Sequence, residues 1–176
     1  MKQLVLYIAF ALLAVACGDR TPIIDVESDD GNQYKENMVN ANKVVIQSES
    51  TQIDGYLQRR NMATKKLPCG ALYNEYIHGS GEAINPDDTV VVTYRLEALD
   101  GTPFYTHQTD TLTVGRRQVT VALDELLLQI PYGSKAWLIA PSNTAYGVVG
   151  DGDRVPSRTV IIYNIVSINK FHFNKS

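Results

Sequence analysis

Few side chains in this sequence have the types and spacing that bond-making chemistry needs. The three histidines, His78, His107 and His172, are scattered, without a second histidine or cysteine at metal-ligand spacing. Asp151-Gly152-Asp153 lacks the spaced oxygen ligands and closing glutamate of a calcium loop, so it reads as a solvated turn. Ser142 follows Pro141 and stands in no Gly-x-Ser-x-Gly context, which leaves a serine nucleophile without its setting. The carboxylates do not cluster among apolar residues. What remains is aromatic and aliphatic: Tyr146 precedes a loop carrying Gly147, Gly150 and Gly152, then Val155-Pro156 and the apolar run to Tyr163. Such a segment can wall and rim a hydrophobic cavity, with glycine and proline shaping the rim. Chemistry that needs no proton transfer, metal or cofactor suits it.

The elements that must position this segment are mostly strands. Thr89–Leu99 alternates cleanly and puts Tyr94 on the buried face. Asp100-Gly101 predicts a hairpin, and Thr102 to Thr106 opens the return strand. A polar loop over His107–Asp110 is expected next, then a short strand over Thr111–Val114. Val119, Leu123, Leu126 and Leu127 share one face of a short helix that Pro131-Tyr132-Gly133 ends. Strands at Ala71–Ile77, Ser134–Ala140 and Thr159–Ile168 bring the tally to about five. The fold class is α+β, an antiparallel sheet with one short helix between strands.

Composition allows one domain plus appendages: 176 residues, 44% hydrophobic and 20% charged. A net charge of -3 disfavours a nucleic-acid partner. Lys2 and the apolar run Leu4–Val15 read as a signal segment, too short for the roughly 20 apolar residues of a bilayer span. The expected organisation is a signal peptide over 1–16, an acidic linker over 17–36, a helical extension over 37–66 and the main domain over 67–172. The helical pattern covers 37–62, with a break expected near Ser48–Ser50. Trp137 and Ile139 lie on the strand face opposite Ala136 and Leu138, and the extension is expected to cover them. Cys69 would be the only thiol outside the signal region besides Cys17, so no intramolecular disulfide is expected, and a small buried residue is its expected role.

Leu13-Ala14-Val15-Ala16-Cys17 resembles the lipobox of bacterial lipoproteins, which implies acylation of Cys17 and attachment to a lipid bilayer. Val92-Thr93-Tyr94, Asp100-Gly101-Thr102-Pro103-Phe104, Val119 to Leu123, Pro141 to Gly147, Val155-Pro156 and Ile161-Ile162-Tyr163 resemble, in that order, the FKBP-type peptidyl-prolyl cis-trans isomerases. With the lipobox and the preceding helix, the chain is most similar to the lipoprotein isomerases of Bacteroidetes-type bacteria, some of them associated with gliding motility. The resemblance implies an FKBP-like sheet wrapped around one short helix, with Tyr146, Phe104, Tyr94 and Tyr163 as catalytic residues. Tyr105, Val119, Thr120, Leu123 and Val155 would bind substrate. The Tyr146 hydroxyl and the Thr120 N–H would hold carbonyls of a proline-containing polypeptide. Leu123 replaces a frequent tryptophan, implying a shallower base. Tyr105-Thr106 stands where the family usually has Asp-Ser, so the pocket carboxylate is expected to be missing, with Tyr105 offering a hydroxyl or filling space. Two functions follow as expectations: a monomeric, membrane-tethered isomerase, extracytoplasmic and on the outer membrane, that assists folding of exported or outer-membrane proteins, or the same fold as a catalytically weak binding or chaperone module.

Overall fold

The computed structural model describes residues 29–172. The expected signal peptide, the Cys17 anchor and the linker as far as residue 28 lie outside the described residues. The chain divides into two units at residues 41 and 42. In the first, the described part is helical and exposes Tyr34, Met38 and Val39. The helix α1 spans Asp29–Arg60, so helix already begins within the stretch expected as linker.

The break expected near Ser48–Ser50 is absent. Thr51 Oγ1 donates to the Gln47 carbonyl at 3.0 Å and Gln52 Nε2 to Ser48 Oγ at 3.2 Å, so these polar side chains bond along the helix instead of interrupting it. Asn61 ends the helix at φ 48°, and the Met62 N–H returns to the Leu57 carbonyl at 3.1 Å. Asparagine in a left-handed cap is a common way to stop a helix and satisfy its last carbonyls.

The second unit is a six-stranded antiparallel sheet: β1 (Lys65–Lys66), β2 (Leu72–Ile77), β3 (Thr89–Ala98), β4 (Pro103–Thr113), β5 (Lys135–Ala140) and β6 (Ile161–Lys170). Their order is β1-β2-β5-β6-β3-β4. One face carries the main core, with Val90, Val92, Tyr94, Leu96, Leu138, Tyr163 and Ile165 packed with Leu123, Leu126 and Leu127 of the helix α2 (Val121–Leu127). The other face carries a smaller core in which Ile53 and Tyr56 of α1 pack with Ile139, Val160 and Ile162, and Trp137 lies at its margin. The extension therefore covers the strand face that the alternation of β5 left apolar. Each side chain so buried contributes on the order of 2 kcal/mol relative to exposure.

The polar loop expected over His107–Asp110 is not a loop. β4 runs unbroken through it, paired with β3 as Thr93↔Thr109 and Val92↔Asp110. A register shift between Tyr94 and Leu96 separates this pairing from Leu96↔Tyr105. An extra residue in one strand changes which side chains face the core. Downstream of the shift, Asp110 sits opposite the buried Val92, on the same face as Tyr94. Among the described residues no helix is long and apolar enough to cross a membrane.

Candidate active site

A cleft of about 280 Å³ opens where the core face of the sheet meets the start of α2 and the segment after β5. It approaches the roughly 300–1,000 Å³ of small-molecule pockets, which suits one small ring and the backbone on either side of it. Tyr94 from β3, Asp110 from β4 and Tyr163 from β6 form the sheet side. Gln118, Val119 and Thr120 lead into α2, and Ala145 and Tyr146 follow the 3-10 turn Ser142–Thr144.

Local sequence explains these placements. Alternation along β3 turns Tyr94 inward, and its ring meets that of Tyr163 edge-on at 5.0 Å and 71°. Thr120 is the N-cap of α2, where its Oγ1 accepts the Leu123 N–H at 3.4 Å and shares a 3.0 Å hydrogen bond with the Tyr163 hydroxyl. The Thr120 N–H has no acceptor among the described residues, as expected for a donor ahead of the first helical turn.

The site is built from hydroxyls that keep their protons and one carboxylate. The Tyr94 hydroxyl donates to Asp110 Oδ2 at 2.7 Å, and Gln108 Nε2 donates to Asp110 Oδ1 at 2.9 Å. Burial first, then the Asp110 carboxylate, pushes the Tyr94 phenol far above its ordinary value. Tyr163 is raised by burial first and by the neighbouring Tyr146 next. Burial also raises Tyr146, against a hydrogen bond from Tyr163 and with help from the negative charges of Asp151 and Asp110. At neutral pH these phenols are therefore neutral; the Tyr94 hydrogen is directed to Asp110 and the Tyr163 hydroxyl is bonded to Thr120, which leaves the Tyr146 hydroxyl as the donor suited to holding a carbonyl oxygen.

The loop beyond Tyr146 is organised by Asp151. Its Oδ1 accepts the N–H groups of Asp153, Arg154 and Val155 at 2.9, 2.9 and 2.8 Å, and its Oδ2 accepts the Tyr105 hydroxyl at 2.7 Å. Burial works against the Asp151 charge, but the Tyr105 hydroxyl and the backbone donors prevail and hold its carboxyl below the usual range. Arg154 stacks over the Tyr105 ring at 5.1 Å and donates to the Phe104 carbonyl at 3.2 Å, tying the loop to β4. Gly150 is required here. Its φ is +80°, and a Cβ there would stand 2.2 Å from the Val155 carbonyl oxygen.

Of the residues singled out in the sequence, Tyr94, Val119, Thr120, Tyr146 and Tyr163 converge on the cleft. Leu123 and Val155 are buried in the main core, and Phe104 and Tyr105 pack against it from the side without lining the cleft. Tyr105 directs its hydroxyl to Asp151 and not to the cavity. The expectation of a missing carboxylate is corrected: Asp110 supplies one, from further along the same strand. Gln118 and Ala145 were not anticipated, and Asp110 was expected in a polar loop and not as a carboxylate of the cleft. The two-residue period of Gln108, Asp110 and Leu112 was the available signal for Asp110. Cys69 is half-buried, and its thiol is raised mainly by burial. Among the described residues no cluster of histidine, cysteine, aspartate and glutamate could hold a metal.

Comparison with known proteins places this geometry in a context. The family described as FKBP-type peptidyl-prolyl cis-trans isomerase matches residues 80–167, half of the chain. The macrophage infectivity potentiator of Trypanosoma cruzi is 27% identical over 169 residues, covering 92% of this chain and 82% of that protein. Among solved structures, a peptidyl-prolyl cis-trans isomerase from Pseudomonas syringae pv. tomato superposes with a TM-score of 0.60 at 24% identity, over 73% of this chain and 96% of that one. FkpA from Escherichia coli superposes with a TM-score of 0.53 at 22% identity, over 96% of this chain and 82% of that one. At these identities the structural likeness speaks for the fold.

Proposed function

This chain belongs to the FKBP-type peptidyl-prolyl cis-trans isomerase family, and from that premise we propose that its cleft catalyses rotation about X-Pro bonds in polypeptides. The observation that carries the reading is the convergence of Tyr94, Thr120, Tyr146 and Tyr163 on an open cleft that retains a carboxylate. Rotation is slow because amide resonance must be lost, at a barrier of roughly 18–20 kcal/mol. A desolvated pocket favours the twisted amide, which separates less charge than the planar one. The Tyr146 hydroxyl and the Thr120 N–H hold the carbonyls on either side of the proline, while the Tyr94 and Tyr163 rings grip the prolyl ring. Each roughly 1.4 kcal/mol of differential stabilisation is tenfold in rate, so two donors and desolvation suffice for useful turnover. The reaction consumes no nucleophile and moves no proton. The family's carboxylate after Phe104 is replaced by Tyr105, which was the ground for an inert binding module; a different carboxylate, Asp110, in the cleft supports the isomerase reading. Turnover of a Leu-Pro peptide that Tyr146→Phe lowers about tenfold supports the isomerase; an equal rate with and without the protein refutes it.

The setting of that activity is a further part of the proposal. The lipobox resemblance ending at Cys17 supports an acylated, extracytoplasmic protein, as in lipoproteins of Bacteroidetes-type bacteria; that it sits on the outer membrane and acts as a monomer on exported proteins is our proposal. Fatty-acid label should enter the full chain in cells and be lost in Cys17→Ser. Equal labelling of both would contradict the anchor.

A further inference from the structure

We propose that Glu49 of α1 is a positioning residue for the cleft, holding the turn that sets Tyr146; this deepens the isomerase reading and rests on it. Glu49 is only 5% exposed, and among the described residues no lysine or arginine is paired with it. A carboxylate out of water is costly unless its oxygens accept hydrogen bonds. Both oxygens accept from one residue across the fold: Oε1 takes the Ser142 hydroxyl at 2.5 Å, and Oε2 takes the Ser142 N–H at 3.0 Å.

Ser142 opens the 3-10 turn that delivers Tyr146 to the cleft. The Ser142 carbonyl accepts the Ala145 N–H at 3.1 Å and the Gly147 N–H at 2.8 Å, the residues on either side of Tyr146. A continuous path of hydrogen bonds thus runs from Glu49 through Ser142 to the backbone flanking the Tyr146 ring. The post itself is fixed, because Ile53 and Tyr56 on the following turns of α1 are buried against β5 and β6. A charged, bidentate contact also sets direction as well as distance. Glu49 does not line the cleft, and its hydrogen bonds go to Ser142, so its effect reaches the reaction through the placement of Tyr146.

The test compares the full chain with Glu49→Ala, Glu49→Gln, Ser142→Ala and, as a control on the exposed face of the same helix, Gln52→Ala. It measures kcat and KM on a Leu-Pro peptide together with amide hydrogen exchange. Glu49→Ala is expected to lower kcat/KM by about 10- to 100-fold, the scale of a misplaced catalytic group. Exchange at Ala145 and Gly147 should accelerate while the amides of β3 and β6 stay protected. Glu49→Gln keeps one acceptor for the Ser142 hydroxyl and should recover part of the rate; Gln52→Ala should match the parent. Should Glu49→Ala fail to fold, Ser142→Ala, which loses only the hydroxyl bond, carries the same comparison with a smaller fall. Full activity with unchanged exchange at Ala145 and Gly147 overturns the proposal. So does a loss that Gln does not relieve and that accompanies faster exchange throughout the sheet. If the parent chain gives no turnover, the isomerase reading fails, and the exchange at Ala145 and Gly147 still decides whether Glu49 sets the turn.

Discussion

A carboxylate beside a phenol in a partly dry cleft does two things at once. It fixes the direction of the hydroxyl, and it makes ionisation of that phenol harder. Asp110 does both to Tyr94. Replacing Asp110 with alanine is expected to free the Tyr94 ring and lower kcat/KM by roughly tenfold, about 1.4 kcal/mol. Tyr105→Asp, by contrast, should bring no gain in rate, because Asp110 already supplies the charge and the substitution breaks the Tyr105 bond to Asp151. A substantial gain from Tyr105→Asp would contradict this assignment. The same phenols set the pH behaviour. Tyr94, Tyr146 and Tyr163 all have folded values raised above the ordinary value of about 10. In that range the unfolded chain loses protons that the folded chain keeps, so stability is intact below about pH 10 and falls as pH rises beyond it. Thermal melts from pH 7 to 11 should show a plateau and then decline, and a rising melting temperature above pH 10 would contradict the assignment. Tyr94 could be placed from sequence because it stands in an unbroken alternation. Asp110 was harder to place: its two-residue period with Leu112 gives its face relative to that residue, but the bulge in β4 that sets this part of the strand against Tyr94 shows only in the cross-strand pairing.

At the scale of elements, α1 is part of the folded unit from residue 42 onward and not a free arm, because it closes the sheet face formed by Ile139 and Ile162. Its inward residues Glu49, Ile53 and Tyr56 recur at helical spacing. Deleting the chain through Arg60 uncovers that face and leaves the Ser142 N–H without its acceptor. Loss of the Ile53 and Tyr56 burial alone is expected to cost several kcal/mol, at about 1.5–3 kcal/mol each. The truncated chain should melt well below the full chain, and an unchanged melting temperature would show that the helix does not close the core. The covering of Trp137 and Ile139 was legible in the sequence because β5 is apolar on both faces, and a sheet with two apolar faces needs two covering layers. The uninterrupted course of α1 was not. Ser48 and Ser50 look like breakers until their neighbours are seen to bond along the helix.

For the whole molecule, the order of strands and the inner helix α2 bring four segments to one cleft: β3–β4, β6, the entry to α2, and the segment after β5. That architecture was legible because strand alternation, the Asp100-Gly101 hairpin and the glycine-rich loop are local signals. The coupling of α1 to the site was not, since Glu49 and Ser142 are far apart in sequence and neither carries a motif. The net charge of -3 is small, so capture of a polypeptide falls to the cleft and its rim and not to long-range attraction. The central claim is that this cleft turns proline bonds with neutral donors beside the Asp110 carboxylate that holds Tyr94. Its most direct measurement is the cis-to-trans rate of a Leu-Pro peptide with the chain from Gly18 onward, beside Tyr146→Phe and Asp110→Ala. Acceleration by the parent chain, reduced about tenfold in each variant, is the predicted result. No acceleration by a well-folded parent, or a rate untouched by both substitutions, would contradict it.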